Sequence, residues 1–217
     1  MQHPLGGRPP YRRQTRATFA IPAASALLLA APLLTACGGN DAHPGAAAVV
    51  DGSRITVSQL QARVNDVRDA QQGSPKSEQL VANSGQLSQN TLIRMIQFRV
   101  IERAGKDNDV RVTRRDVQQY RKAAETQSGG GAALRGLYLE QGIAPDGIDD
   151  AMRMELTRNA LVTKLGTAKV NEVFASTSKK LGIEVNPRYG TWDDRRGTAV
   201  LTKEAWLRTS EDVSRQA

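Results

Sequence analysis

Apolar residues recur every three or four positions along most of the chain between residues 57 and 181. This spacing places them on one face of a helix, turn after turn. It predicts six helices, which begin after Thr56, at Gln86, after Thr113, at Ala132, at Pro145 and at Thr167. The helix of residues 86–104 is apolar on most of its circumference, which is typical of a helix surrounded by others. The pattern therefore predicts a mainly α domain with this helix at its centre.

Two or three short strands are expected beside the helices. Residues 48–50 and 53–56 are β-prone and flank Asp51-Gly52, a dipeptide that suits a tight hairpin turn. Ile183-Glu184-Val185 alternates like a half-buried strand. An isolated hairpin is only marginally stable in water. We therefore expect Ile183 and Val185 to pair near Val49-Val50.

Several residues mark the ends of the predicted helices. Thr56 with Gln59 three positions later forms a capping-box pattern. Thr113 is expected to cap the third helix, with Asp116 in the first turn near the positive end of that helix. Gly105 is expected to follow the last residue of the central helix, where a left-handed conformation commonly ends helices. These signals predict where the chain enters and leaves the helices.

Three acidic residues cluster where the fifth helix begins, at Asp146, Asp149 and Asp150. Paired carboxylates can serve as catalytic acid and base. Acidic side chains in a first turn more often interact with the positive end of the helix. We interpret these three as solvent-exposed partners of the helix end and name no catalytic residue.

The N-terminus has the layout of a secretory signal. A leader containing Arg8, Arg12, Arg13 and Arg16 precedes the uncharged stretch 17–36. The segment Leu34-Thr35-Ala36-Cys37 resembles the cleavage site of bacterial lipoprotein precursors. The resemblance implies that residues 1–36 are a cleaved signal peptide and that Cys37 carries the lipid.

An uncleaved membrane helix is the alternative interpretation of this segment, since about twenty apolar residues span a bilayer. Pro22, Pro32 and the Gly38-Gly39 pair argue against a long continuous helix. The residues after Arg12-Arg13 fit twin-arginine export poorly, so the export route stays open. We expect a lipid-anchored protein on the extracytoplasmic face of the cell membrane.

Composition narrows the chemistry available to the domain. Removal of residues 1–36 lowers the formal net charge from +8 to +4, and this modest excess gives no reason to expect nucleic-acid binding. The two histidines, His3 and His43, lie in the leader and the linker. A Ser-His or Cys-His catalytic pair and a His-rich metal site are therefore not expected. We expect no cofactor and no metal.

The order of these elements resembles the SurA/PrsA-like extracytoplasmic chaperones. The segment Ala48-Val49-Val50-Asp51-Gly52 through Ile55-Thr56-Val57-Ser58-Gln59-Leu60 is similar to the hairpin and capped helix that open that family. The later matches are Leu92–Ala104, Val112–Val117, Leu137–Ile143 and Ile148–Arg153, which resemble its second to fifth helices. The resemblance spans roughly residues 47–185 and implies an orthogonal multi-helix domain with a small β element.

One part of that family's usual architecture is missing. A parvulin-type prolyl isomerase domain commonly lies between the fifth helix and a closing helix and strand. Here Leu165 leads directly into the segment 170–185, which leaves no room for a domain. We therefore expect no isomerase activity. The expected organisation is signal peptide 1–36, lipidated Cys and flexible linker 37–47, helical domain 48–190 and a loosely ordered tail 191–217.

The resemblance implies a holdase that binds unfolded or partly folded exported polypeptides. Such a protein needs an adaptable apolar groove with a polar rim. The candidate client-binding residues are Met95, Phe98, Tyr138, Met152, Met154 and Phe174, although methionines and aromatics at helical spacing usually fill a core. The alternative is a non-catalytic adaptor that docks one folded envelope partner, with Trp192 or Trp206 as plugs or anchors.

Overall fold

The structure, a computed structural model, describes residues 45–200. Its helices are α1 Val57–Gln72, α2 Ser77–Ala82, α3 Leu87–Asp107, α4 Arg114–Ser128, α5 Gly131–Glu140, α6 Ile148–Leu165 and α7 Thr167–Lys180. Two short 3-10 helices cover Pro145–Gly147 and Pro187–Tyr189. The strands are β1 Ala46–Val50, β2 Ser53–Thr56, β3 Glu184–Val185, β4 Thr191–Asp193 and β5 Thr198–Val200. The predicted mainly α fold is confirmed, and α2 is an additional short helix.

The first three strands form one antiparallel sheet in the order β2-β1-β3. Ala48 lies opposite Val185, and Val49 lies opposite Glu184. The Asp51 N–H also donates to the Leu181 carbonyl at 2.7 Å. The predicted return of the closing strand to the N-terminal hairpin is confirmed. Strand β1 is the central strand of this sheet, and every residue of it is buried. It begins at Ala46, two residues before the predicted domain boundary.

The predicted hairpin turn and the predicted helix caps at Thr56 and Thr113 are present in the structure. Asp51 and Gly52 have φ angles of 52° and 70°, the left-handed values that a tight hairpin turn requires. The Thr56 hydroxyl accepts from the Gln59 N–H at 3.0 Å, and the Gln59 side chain accepts from the Thr56 N–H at 2.9 Å. Thr113 caps α4 in the same reciprocal way. These contacts satisfy backbone donors that the first turn of a helix leaves unpaired.

Helix α3 lies at the centre of the domain, as its all-round apolar pattern predicts. Leu92, Ile96 and Val100 pack with α1, the first sheet and α5 in the largest buried cluster. Ala104 packs against α6 and α7 in a second cluster. A third cluster joins α4, α5 and α6 around Met152. The first two clusters thus hold α1, α5, α6 and α7 to α3, and the third holds α4 to α5 and α6.

The predicted role of Gly105 is wrong. Helix α3 continues to Asp107, and Gly105 lies buried inside it with no left-handed φ. A Cβ on Gly105 would lie 2.7 Å from the Thr157 methyl group of α6. The glycine is therefore explained by the close approach of two helices and not by a helix end.

The predicted loosely ordered tail does not begin at residue 191. Residues 191–200 form the antiparallel β4-β5 hairpin, with Trp192 opposite Ala199. The side chains of Gln89 and Gln97 on α3 donate to the Ala199 and Gly197 carbonyls at 3.5 and 2.7 Å. Contacts with α3 hold this polar segment in place. The composition of the segment alone gives no indication of these contacts. The rest of the predicted tail, residues 201–217, lies outside the described residues.

Candidate functional site

Two clefts lie side by side along α3. The small cleft, about 280 Å³, opens between α1, α3 and the start of α6 and has an apolar floor that includes Met95 and Phe98. The large cleft, about 1010 Å³, lies between α3, α6, α7 and the β4-β5 hairpin. Ile143, Ala151 and Met154 line both clefts. The two clefts therefore meet at Met154 and its neighbours.

Five of the six predicted client-binding residues line these clefts. Met95 and Phe98 lie in the small cleft, Tyr138 and Phe174 in the large cleft, and Met154 where they meet. All five are partly exposed. They come from α3, α5, α6 and α7, so only the packing of these helices brings them together.

Met152 is the exception among the predicted residues. Its side chain is fully buried and packs with Val117, Leu134 and Ile148 beneath the surface. Met152 and Met154 are two positions apart on α6, so they point to different sides of the helix. Met152 is a core residue that a ligand in either cleft does not reach.

Charged side chains surround the small cleft. Arg63 of α1 forms ion pairs with Asp146 at 3.1 Å and Asp150 at 3.9 Å across the opening. The partners of Arg94 are neutral: its guanidinium donates to the Gln141 and Gly142 carbonyls at 2.9 and 3.3 Å. Burial lowers the pKa of Arg94 below its ordinary value, because desolvation disfavours the charged form.

The hydroxyl of Thr91, a residue that lines the small cleft, is buried without a hydrogen-bond partner in the described part of the chain. Thr91 is 8% exposed, and its Oγ makes no hydrogen bond to any of residues 45–200. It lies one helical turn before Arg94, so the two share one side of α3. An unpaired buried hydroxyl costs free energy. This feature was not predicted, since a threonine within a helix gives no sequence signal of its burial.

A buried polar contact fixes the wall of the large cleft. The Trp192 indole N–H donates to the Ser178 hydroxyl at 2.7 Å, and this hydroxyl donates to an Asp194 carboxylate oxygen at 2.6 Å. Trp192 is half-buried against the main core. The hairpin thereby places Trp192 along the cleft and Arg195 and Arg196 at its rim. The polar composition of residues 191–200 gives no sequence signal of this wall.

The acidic residues at the start of α6 form ion pairs. Asp149 accepts from Arg121 at 2.6 Å, and Asp146 and Asp150 face Arg63. All three are exposed, in agreement with their interpretation as surface charges. Nearby, the Tyr120 hydroxyl donates to Glu155 at 2.8 Å, which raises the pKa of Tyr120 to about 12. These contacts tie α1 and α4 to the start and middle of α6.

The residues that the structure describes contain no cluster of three or more histidine, cysteine or acidic side chains able to hold a metal ion. Within the same part of the chain, no helix combines the length and the apolar character needed to cross a membrane. The predicted cleavage segment Leu34-Thr35-Ala36 and the predicted lipidation site Cys37 lie outside the described residues.

The family model for the SurA-like N-terminal domain matches residues 11–162, which is more than half of the chain. The chain belongs to this family. The match extends from the predicted leader into α6, while α7 and strands β3 to β5 follow it. No curated protein and no solved structure matches the chain. Membership of the SurA-like family suggests a chaperone-like role in the cell envelope and binding of polypeptide substrates.

The connection between α6 and α7 of this SurA-like chain is a single residue. Gly166 alone joins α6 to α7, so no domain is inserted between them. No match to a parvulin domain accompanies the SurA-like match. Helix α7 and β3 instead return directly to β1 and complete the first sheet.

Proposed function

We propose that this chain is a lipid-anchored holdase at the extracytoplasmic face of the cell membrane, which binds unfolded or partly folded exported polypeptides. The observation that carries the proposal is the pair of clefts that meet at Met154, in which apolar side chains from four helices lie between polar and charged ones. Together they offer an extended trough along α3 rather than one closed pocket. A trough of this kind suits a chain of varied sequence better than a single small molecule.

The side chains of the trough suit varied clients. Met95 and Met154 are unbranched and polarisable, so they adapt to differently shaped apolar groups. Phe98, Tyr138 and Phe174 supply aromatic surface, while Arg63, Asp150 and Arg158 supply a polar rim. Adaptable apolar surfaces with polar rims are typical of proteins that bind many partners.

The anchor and the lack of catalysis are the remaining parts of the proposal. The basic leader and the segment that ends at Cys37 support lipidation and export. The direct connection of α6 to α7 through Gly166 supports holding without isomerisation, since the position of the usual catalytic insert is closed. Isomerisation of X–Pro bonds is intrinsically slow and needs a catalyst to be fast.

Light scattering of a chemically denatured client after dilution tests the holdase. The protein, expressed with its own leader and purified in detergent, should suppress aggregation without ATP. Met154→Glu should weaken suppression, because a carboxylate at the junction of the clefts disfavours apolar groups from both sides. Val81→Glu makes a similar exchange at a side chain that is 50% exposed on α2, outside the trough, and should suppress aggregation as the native protein does.

Two results would overturn the proposal. Unchanged scattering at several-fold molar excess of the native protein would reject the holdase and favour an adaptor with one folded partner. Faster cis/trans isomerisation of a proline-containing peptide in a protease-coupled assay would show that the protein is an isomerase. Crosslinking in intact cells separates the two binding modes, since a holdase captures many unrelated clients and an adaptor captures one partner.

A further inference from the structure

The small cleft combines three features that point to one kind of ligand. Its floor is apolar, its buried Thr91 hydroxyl is unpaired within the described residues, and its Arg94 guanidinium has no carboxylate partner there. Thr91 and Arg94 lie one turn apart on the same side of α3. The Arg94 guanidinium can donate to an anionic group in the cleft. The Thr91 hydroxyl is closed off from solvent in its present rotamer, and it can donate to the same group after rotation to the second χ1 rotamer that a helical threonine adopts.

Arg94 retains donors for such a group. A guanidinium has five N–H donors, and the backbone carbonyls of Gln141 and Gly142 each engage one terminal nitrogen of Arg94. The nearby carboxylates do not compensate its charge, since Asp146 and Asp150 pair with Arg63. Because Arg94 is partly desolvated, an anion beside it gains more than it would beside an exposed arginine.

The rest of the cleft selects an apolar group beside the anion. Met95 and Phe98 follow Thr91 and Arg94 along the same side of α3, and Met154 faces them from α6. The volume, about 280 Å³, lies just below the range of roughly 300–1,000 Å³ that holds drug-sized ligands. The cleft therefore suits one large apolar side chain directly adjacent to a negative charge.

In a polypeptide, a carboxylate and a large apolar side chain share one Cα only at the C-terminus. We propose that the small cleft binds the C-terminal residue of an unfolded client, with its carboxylate at Thr91 and Arg94 and its apolar side chain on Met95, Phe98 and Met154. The preceding residues of the client then extend along the large cleft. This inference rests on the proposed holdase function and specifies which part of the client the small cleft recognises.

Fluorescence anisotropy with paired peptides tests the inference on the full-length chain in detergent. Both probes are fluorescein-labelled Gly/Ser octapeptides that end in Phe, one as the free acid and one as the C-terminal amide. The free acid should bind about tenfold more tightly, as expected for loss of one charge-assisted interaction worth about 1.4 kcal/mol. Thr91→Val and Arg94→Gln should each reduce this preference severalfold.

Thr91→Val and a charge-matched control for Arg94→Gln separate an effect on binding from an effect on folding. Thr91→Val replaces an unpaired buried hydroxyl by a methyl group, so the protein should be as stable as the native chain or more stable. Arg114→Gln is the matched control for Arg94→Gln, because it removes the same charge from an exposed position on α4 that lines neither cleft. It should leave the preference for the free acid unchanged.

Equal affinity for the acid and the amide, or a preference that survives both Thr91→Val and Arg94→Gln, would overturn the inference. Tighter binding of octanoate than of the free-acid peptide would assign the cleft to a fatty acid and would also overturn it. The proposed function has its own readout in the scattering assay. Suppression of aggregation without a preference for the free acid would reject the C-terminal site and leave the holdase intact.

Discussion

Gly105 of α3 and Thr157 of α6 meet so closely that a Cβ on Gly105 would lie 2.7 Å from the Thr157 methyl group. Both residues are buried where the central helix contacts α6. Helix α6 contributes Ala151 and Met154 to both clefts. This contact therefore sets the separation of the two helices that form the candidate client trough.

Gly105→Ala should lower the free energy of unfolding by about 1–3 kcal/mol, because the added methyl group forces α3 and α6 apart. Urea denaturation followed by circular dichroism measures the change. Adding Thr157→Ser should restore most of the loss, since serine removes the methyl group and keeps the hydroxyl that donates to the Arg153 carbonyl at 2.8 Å.

Gly136→Ala is the control for this substitution. A Cβ on Gly136 of α5 meets no other atom within 4 Å. Alanine should therefore leave stability unchanged or raise it by up to about 1 kcal/mol. A Gly105→Ala variant as stable as Gly136→Ala would contradict the close approach of the two helices.

The capping box of α4 should make stability depend on pH in the acid range. Hydrogen bonds from the Thr113 hydroxyl and the Thr113 N–H, each at 2.7 Å, lower the pKa of Asp116 below its ordinary value of 3.8. A carboxyl group whose pKa is lower in the folded chain than in the unfolded chain stabilises the fold at pH values above its pKa in the unfolded chain. This contribution is lost as the pH falls through the pKa of the group in the folded chain.

Asp116→Asn should therefore lower the melting temperature at pH 7, and its difference from the native protein should shrink as pH falls below about 3.8. Thermal unfolding between pH 2 and pH 7 measures both effects. Asp66→Asn, at an exposed site on α1 with no ion pair among the described residues, is the control. An Asp116→Asn difference that stays constant down to pH 2 would argue against the capping contact.

Leu181→Ala should destabilise the protein by about 2–5 kcal/mol, as expected for a leucine buried in a core. Leu181 is 4% exposed in the main cluster, and its carbonyl accepts from Asp51. Leu137→Ala makes the same exchange on α5 at a side chain that is 49% exposed, and should cost much less. Similar costs for the two variants in urea denaturation would show that the closing segment contributes little to the fold.

Cys37→Ala should abolish acylation and leave either unprocessed precursor or protein released from the membrane. Metabolic labelling with a clickable fatty acid, followed by fractionation, measures both outcomes. Cys37 is the one cysteine of the chain, so the variant offers no second thiol for the label. Undiminished labelling of Cys37→Ala would reject the lipid anchor.

Local features of the fold were predictable because neighbouring residues determine them. The Asp51-Gly52 turn and the capping boxes at Thr56 and Thr113 depend on side chains and backbone within three positions. The periodicity of apolar residues likewise identified α3 as the central helix. The same signals supported the SurA-like resemblance, which the family match confirms.

Features that depend on contacts between distant residues needed the tertiary structure. Gly105 looked like a helix end until the approach of Thr157 explained it. Met152 and Met154 look equivalent in sequence, yet one packs in the core and the other lines both clefts. Apolar spacing identifies the buried side of a helix but does not say which neighbouring element covers it.

Short-range chemistry and element order were enough to predict six of the seven described helices, the caps at Thr56 and Thr113, the first hairpin and the family. The trough exists only through tertiary packing. Side chains from four helices converge there, and residues 191–200 form a wall because Gln89 and Gln97 hold that hairpin to α3. A binding surface of this kind depends on the three-dimensional packing of segments that are far apart in the chain.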